Sequence, residues 1–410
     1  MNIYLSNFFH TFNMSDINSL YLYMELIDKY PKTEDQAKKH NYKYWNTQPV
    51  VKLQEIIGRE GYINNNLEPF DSVAINNKAY IKLDDRDYKN ISKFISNTYK
   101  QDTIYNYYEY YTADQIKYIL DSSNDSICFS VRSTDNDIIL GVVMVNIRDY
   151  QVSTSPIKIA DVKFFSVLKK LRGKHIGTIM IKQLTNLLLE KKVITATFKT
   201  INYIPKPFCS SRLYHRALNV KKLIETDFTE LDNSVKIKNV EEALALPSNT
   251  SINISILDNS HEEDIIKSHN LLSSYMKRFS FHPNITLDDF KKTFLNNKYI
   301  TSYIIRDDNE DIVDFCSTQR VIYNVKNCNK AIYSCKLYYS TAFEYTPYNI
   351  IYNLLILAKN RGYYVFSAYD IMNIEHVLFD LDFVEGKDVL NYNMYNYKLR
   401  DMEKKQICSL

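Results

Sequence analysis

Glycine is scarce in this chain, with 7 residues in 410. Cysteine is scarcer still: six residues stand far apart, at Cys128, Cys209, Cys316, Cys328, Cys335 and Cys408, and none forms a C-x-x-C pair. That argues against zinc and dithiol redox motifs and for a reduced, cytoplasmic compartment. Charge of one sign is also lacking. The net charge is +3 and no long basic block occurs, too little to argue for a nucleic-acid partner. No apolar run is long enough to span a bilayer, so stable membrane insertion is not expected. The start, Met1 to Ser15, lacks the basic n-region and apolar core of a signal peptide. What is present is ordinary for a soluble globular protein: 45% hydrophobic and 24% charged residues. The surplus of Asn, Ile, Lys and Tyr reflects AT-rich coding and carries no function. The length allows two or three domains, or one large double unit.

Two of the seven glycines fall in one loop. Val162, Phe164, Phe165 and Val167 form a short apolar run of the kind a buried strand has. Lys169 to Gly177 follows, reading KKLRGKHIG, and then Ile179, Met180, Leu184, Leu187 and Leu188 recur at helical spacing. Glycine lets a backbone turn sharply and approach a ligand closely. A loop that opens a helix aims free amides outward, where the helix dipole adds partial positive charge. With Lys169, Lys170, Arg172 and Lys174 close by, such a loop suits a pyrophosphate. It equally suits a solvated basic turn, and the loop alone leaves both readings open.

Taken in order, the chain predicts a helix over Asp16–Tyr30, capped by Ser15 and stopped by Pro31. A segment holding the only tryptophan follows, Asn41 to Val50, which reads as extended. It could cover a thioester chain or merely anchor an N-terminal arm. Helices are then expected at Tyr88–Lys100 and Thr112–Leu120, and strands at Ser126–Ser133, Asp137–Ile147 and Pro156–Leu168. Helix Thr178–Lys191 and strand Val193–Thr200 complete the set. The same order returns further on. Helices His261–Phe279 and Thr286–Leu295 come first, the second with a capping-box pattern at Thr286 and Asp289. Strands Tyr299–Ile305, Asp311–Val321 and Lys330–Tyr339 follow, then helix Asn349–Arg361 closed by Gly362, and strand Tyr363–Ser367. Corresponding elements lie about 170–175 positions apart, which points to two copies of one α/β domain. The copies differ at the loop: the second has Ser340 to Pro347 there, with no glycine and one acid. An anionic cofactor therefore belongs to the first copy, and an acceptor to the second.

The strand followed by Arg172-x-x-x-x-Gly177 and a helix resembles the acetyl-CoA loop of GNAT-type acyltransferases. The closer resemblance is to the N-myristoyltransferase family, itself a double GNAT-like fold. Four collinear stretches carry it. They are Tyr42-Lys43-Tyr44-Trp45-Asn46-Thr47-Gln48-Pro49-Val50; Phe164 to Ile181; Ile204-Pro205-Lys206-Pro207 with Arg212 to Glu225; and the tail, with Leu357-Ala358-Lys359, Tyr364-Val365-Phe366 and Tyr395-Asn396-Tyr397-Lys398. Together they cover residues 33 to 410.

The resemblance implies an α/β (α+β) fold of two tandem GNAT-like units related by a pseudo-twofold repeat, with mixed central sheets flanked by helices. It implies an N-terminal arm at 1–40, an acyl-CoA half at 41–225 and an acceptor half at 226–410. The activity implied is transfer of a tetradecanoyl chain from myristoyl-CoA, as co-substrate and without a metal, to the N-terminal glycine of peptides or nascent proteins. The enzyme would be a cytoplasmic monomer. Tyr42, Lys43, Tyr44, Trp45, Phe165, Ser166, Val167 and Arg172 to Thr178 (Arg172, Gly173, Lys174, His175, Ile176, Gly177, Thr178) would bind acyl-CoA. The N–H groups of Phe164 and Phe165 would form the oxyanion hole, and a C-terminal carboxylate on Leu410 would be the base. Tyr99, Lys163, Lys199, Tyr214, His215, Ser317 and Lys387 would face the peptide.

The acceptor side departs from the family's pattern. Lys163 stands where an Asn is usual, Lys199-Thr200-Ile201 replaces a Thr-Ala-Gly run, and Gly386-Lys387-Asp388 replaces Gly-Asp-Gly. Ser334-Cys335-Lys336-Leu337 replaces Ser-Phe-Tyr-Asn, and Tyr99 to Thr103 replaces an acidic loop. At roughly 4 Å like charges repel by about 1–4 kcal/mol, so these lysines predict an altered peptide preference. Two alternatives stand beside this reading: an acyl-CoA-dependent transferase for a different acceptor, and a catalytically weak acyl-CoA-binding homologue.

Overall fold

The computed structural model describes residues 30–71, 78–99, 107–232, 234–295, 298–326 and 329–409. The expected helix Asp16–Tyr30, the loop beyond Tyr99, Cys328 and Leu410 thus lie outside the described residues, Tyr30 excepted.

Alternation builds the first half. In β4 (Asp125–Ser133), Ile127, Phe129 and Val131 face one side and Cys128 the other. In β5 (Ile139–Val152), Val143, Val145 and Ile147 join the first set, and Val142 and Met144 the second. Both faces are covered, as the near-continuous apolar run demands. Met180, Leu184 and Leu188 of helix Ile176–Glu190 pack on one face. Ile91, Ile95, Ile116 and Leu120 of helices Tyr88–Thr98 and Ala113–Asp121 pack on the other. Asp87 and Thr112 cap those two helices by accepting from the amide three residues on.

The sequence order of strands differs from their order in space. β2 (Ala79–Leu83) pairs with β4, then come β5, β6 (Ser155–Val167) and β7 (Ala196–Thr200). Next to β7 lies β15 (Val384–Tyr395), from the far end of the chain, followed by β8 (Cys209–Ala217). β14 (Val365–Tyr369), β13 (Ala331–Ser340), β12 (Ile312–Val325), β11 (Ile300–Arg306) and β9 (Asn253–Ile256) complete the row. β6–β7 and β13–β14 are the parallel pairs, each joined by a helix, Ile176–Glu190 or Pro347–Asn360. The expected repeat is visible as two like strand sets. They are not two separate sheets: each half's last strand, β8 or β15, crosses over to complete the other, and the two pair with each other.

Differences from the sequence reading are local. β8 and β15 were not foreseen as strands. The Thr286 cap forms, but Asp289 does not return the bond; its carboxylate accepts from the Asn124 amide at 3.2 Å. The Trp45 segment is a 3-10 turn, Trp45–Thr47, rather than extended. Five cysteines, Cys128, Cys209, Cys316, Cys335 and Cys408, are free and buried. Among the described residues no helix is long and apolar enough to cross a membrane.

Candidate active site

The site begins where two parallel strands part. The β6–β7 ladder holds only Ala160, Asp161 and Val162, against Ala196, Thr197 and Phe198, yet β6 runs on to Val167. A bulge between Met144 and Val145 falls opposite the same point, leaving Lys163 as the extra residue in β6. Beyond it Phe164 and Phe165, still paired with β5, have no β7 partner and line a cavity of about 1060 Å³. Lys163 and Lys199 are the first residues past the parting on the two strands, and both line this cavity.

One end of the cavity is basic. Lys169–Leu171 make a 3-10 turn, Gly173 takes the left-handed conformation at φ 78°, and His175 precedes the helix at φ 64°. No side chain caps that helix start, so its first amides remain open to a ligand. Lys169, Lys170 and Lys174 are exposed. Arg172 is turned back: Nε donates to the Val167 carbonyl at 3.3 Å and Nη2 to the Thr98 carbonyl at 3.1 Å, holding the loop against helix Tyr88–Thr98. Gly177 lies inside the helix with the Phe165 ring as its neighbour, and needs no positive φ. Beside the loop, Trp45 stacks on Phe198 with centroids 5.8 Å apart, and the Tyr42 hydroxyl donates to the Tyr203 carbonyl at 2.6 Å. The walls between, from Ile181, Leu184 and Leu188 to Val193 and Ala196, are apolar.

The other end is polar and cationic. Asp161 is buried; Lys163 pairs with it at 2.5 Å and Tyr150 donates to it at 3.0 Å. Burial would raise its carboxyl, but Lys163 and Lys199 outweigh that and hold it at about 2. Lys199, whose ammonium lies over the Tyr392 ring at 5.6 Å, is lowered to about 8 by burial. Asp161 opposes that shift, while Lys163, Lys336 and Arg148 add to it. Lys336 lies over the Tyr369 ring at 5.7 Å and lines the cavity too. Among the described residues, eight lysines and arginines but only two carboxylates, Asp161 and Glu109, line the cavity.

The tail packs behind Tyr392, which lines this end. The Cys408 amide donates to the Phe281 carbonyl at 2.9 Å, the Met372 amide to the Ile407 carbonyl at 3.0 Å, and the Tyr392 hydroxyl to the Ser409 carbonyl at 3.4 Å. Cys408 and Ser409 are each 1% exposed. The chain is therefore buried up to the last described residue.

Comparison with known proteins decides the family. The N-terminal domain of myristoyl-CoA:protein N-myristoyltransferase matches residues 71–211 and its C-terminal domain residues 225–408. The chain belongs to the N-myristoyltransferase family. A probable glycylpeptide N-tetradecanoyltransferase of Caenorhabditis elegans is 27% identical over 402 residues, covering 94% of this chain and 88% of that protein. The Plasmodium falciparum glycylpeptide N-tetradecanoyltransferase is 26% identical over 410 residues, covering 94% and 97%. A Saccharomyces cerevisiae N-myristoyltransferase crystallised with myristoyl-CoA superposes with a TM-score of 0.81 at 24% identity, covering 88% of this chain and 94% of that one. That likeness establishes the fold.

Of the residues expected at an N-myristoyltransferase site, the structure gathers most around the one cavity. Tyr42, Lys43, Tyr44, Trp45, Tyr99, Lys163, Phe164, Phe165, Ser166, Val167, Arg172, Gly173, His175, Gly177, Thr178 and Lys199 line it. Lys174 and Ile176 stand in the loop but not in the wall. Four expected peptide residues lie elsewhere. Tyr214 packs edge-on against Phe379, and His215 shares a 2.9 Å hydrogen bond with Ser367. Burial lowers the His215 ring to about 4. Ser317 is buried, its hydroxyl bonded to the Tyr339 backbone, and Lys387 lies on β15 at its pairing irregularity with β8. Asp161, Arg148, Tyr118 and Tyr338 line the cavity and were missed. The signal for Arg148 was available: it is a charge placed directly after the mostly apolar run Val142–Ile147, where the expected strand was ended five residues short of Val152.

Proposed function

We propose that the protein is a glycylpeptide N-tetradecanoyltransferase with an altered acceptor preference. It takes the tetradecanoyl chain of myristoyl-CoA to the amino group of an N-terminal glycine, in the cytoplasm and as a monomer. The observation that carries this is the parting of β6 and β7 just before Phe164 and Phe165, which line a cavity shared by a basic loop and a cationic, polar cluster. The uncapped amides at the start of helix Ile176–Glu190, with Lys169, Lys170 and Lys174, suit the phosphates of CoA. The apolar wall from Ile181 to Ala196 suits the acyl chain. Backbone N–H groups of Phe164 and Phe165 would meet the thioester carbonyl oxygen, where charge collects as the C–N bond forms and the C–S bond breaks. CoA leaves as the thiol.

An ammonium cannot attack, so the amine must first lose its proton. Lys163, Lys199 and Arg148 place positive potential at the polar end, which disfavours an ammonium there and lowers the amine's pKa. The same potential repels basic peptides and favours acidic ones. The assay is release of CoA thiol and labelling of glycine peptides by radioactive myristoyl-CoA, with acidic and basic sequences compared at low and high salt. Acylation of the acidic set, with the gap shrinking in salt, is expected. Acyl-CoA binding without turnover on any peptide would make the protein a binding homologue instead. Turnover on amines that are not glycine peptides would make it a transferase for another acceptor, a reading favoured by the lysine pair Lys163 and Lys199 at the parting.

A further inference from the structure

We infer that Arg148 forms an anion subsite at the acceptor end of the cavity, which takes an acidic side chain of the incoming peptide. Arg148 is 9% exposed and lines the cavity. Its guanidinium donates only through Nη2, to the carbonyl and hydroxyl oxygens of Ser122. Nε is buried with no hydrogen-bond partner. Among the described residues no carboxylate comes within ion-pair distance. Asp161 and Asp289 act on Arg148 through space, but Asp161 is paired with Lys163 and Asp289 accepts from the Asn124 amide. A charge buried without a partner is costly, whereas a charge-assisted pair with a planar carboxylate would fill the open donors of the fork. The surroundings exclude a cationic ligand, because Lys199 and Lys336 line the same end.

Register places the subsite along the peptide. Arg148 lies opposite Ile159 on β6, five residues before Phe164. That is roughly 16 Å along the strand, and less once the reach of the arginine is taken off. An extended peptide covers about 3.3–3.6 Å per residue, so the acid falls about three to five residues beyond the terminal glycine. This inference rests on the reading of the cavity as an acyl-transfer site, and its test separates the two.

Peptides carrying Glu at one position from two to six, each with its Gln counterpart, are titrated calorimetrically into protein loaded with a non-hydrolysable myristoyl-CoA analogue. Binding reads the subsite; CoA release from myristoyl-CoA, followed separately, reads the transfer. The wild-type protein should bind one or two of the Glu peptides about tenfold more tightly than their Gln counterparts. Arg148→Gln should erase the advantage of those positions over the others, leaving only the weaker, position-independent pull of Lys163 and Lys199, with the affinity for the analogue unchanged, and Arg148→Lys should keep part of it. Equal binding of Glu and Gln peptides at every position, no binding of either, or a positional preference that survives in Arg148→Gln overturns the subsite. The wild-type comparison alone decides if a variant fails to fold. A Glu preference in binding without any CoA release would leave the subsite standing and remove the transfer reading.

Discussion

Replacing Lys199 by methionine should stabilise the protein, and by an amount that depends on pH. The residue sits on β7 at the parting of the sheet, its ammonium over the Tyr392 ring. Folding lowers its pKa from 10.5 to about 8, chiefly through burial. At ~1.4 kcal/mol per unit the drop corresponds to about 3 kcal/mol. Contact of the side chain with the open cavity reduces this to about 1–3 kcal/mol. The attraction of Asp161 is already contained in the net shift, and Lys163 remains as its partner in the variant. Below pH 8 the lysine is protonated in both states and the whole penalty is present. Between pH 8 and 10.5 the unfolded chain holds more protons than the folded one, so wild-type stability recovers relative to the variant as pH rises. Above 10.5 the penalty is gone. Urea denaturation of both proteins at pH 7 and pH 9.5 reads the difference. Lys199→Met should be the more stable at pH 7, with the gap reduced at pH 9.5. No gain at pH 7, or a gap that does not change with pH, would refute the picture of a strained cation.

Three further outcomes are expected. Gly386→Ala should cost about 1–3 kcal/mol, because a methyl group there runs into the Leu213 carbonyl oxygen and meets His215 Nε2 at 3.1 Å; thermal melting measures it, and an unchanged midpoint would show that β8 and β15 can part locally. The combined variant Lys169→Ala, Lys170→Ala, Lys174→Ala should weaken acyl-CoA binding about tenfold or more and flatten its salt dependence, while free myristate binds as before; an unchanged calorimetric affinity would detach this loop from the phosphates. Trp45→Ala loses the stack on Phe198, worth about 0.5–1.5 kcal/mol beyond buried area, and should weaken acyl-CoA binding with little effect on the melting temperature; the reverse pattern would make Trp45 only an anchor.

Helices and strands with strong periodicity were legible in the chain, because burial on both faces of β4 and β5 imposes the pattern directly. The basic loop was legible as a glycine-bearing turn that opens a helix, and the structure sets that turn at the edge of the cavity. What composition cannot reveal is that the Arg172 guanidinium, while lining the cavity, also donates to the Val167 and Thr98 carbonyls. β8 and β15 escaped because their residues alternate weakly. Ser210 faces Asn391 across the crossing and hydrogen-bonds to it, and Ser211 and Asn393 add further polar positions, so pairing partners and not hydrophobic period hold the strands. The peptide-side residues Tyr214, His215 and Ser317 were placed by position in a pattern, and their distance from the cavity follows from the course of β8 and β12, which no local signal encodes.

The exchange of β8 and β15 sets an order on folding. β7 lies at the parting that opens the cavity, and its second neighbour is β15, about 190 residues later in the chain. During synthesis the first half must therefore wait with one flank of that strand unpaired until nearly the whole polypeptide has emerged. Contacts of such long range close slowly, and an edge left open in the meantime can pair with another chain. Neither half should yield a competent site when made alone. Separately expressed fragments split between Glu225 and Ile237 should regain it only by finding each other, and a ribosome-bound nascent chain should acquire the cavity abruptly, once its final strand is free.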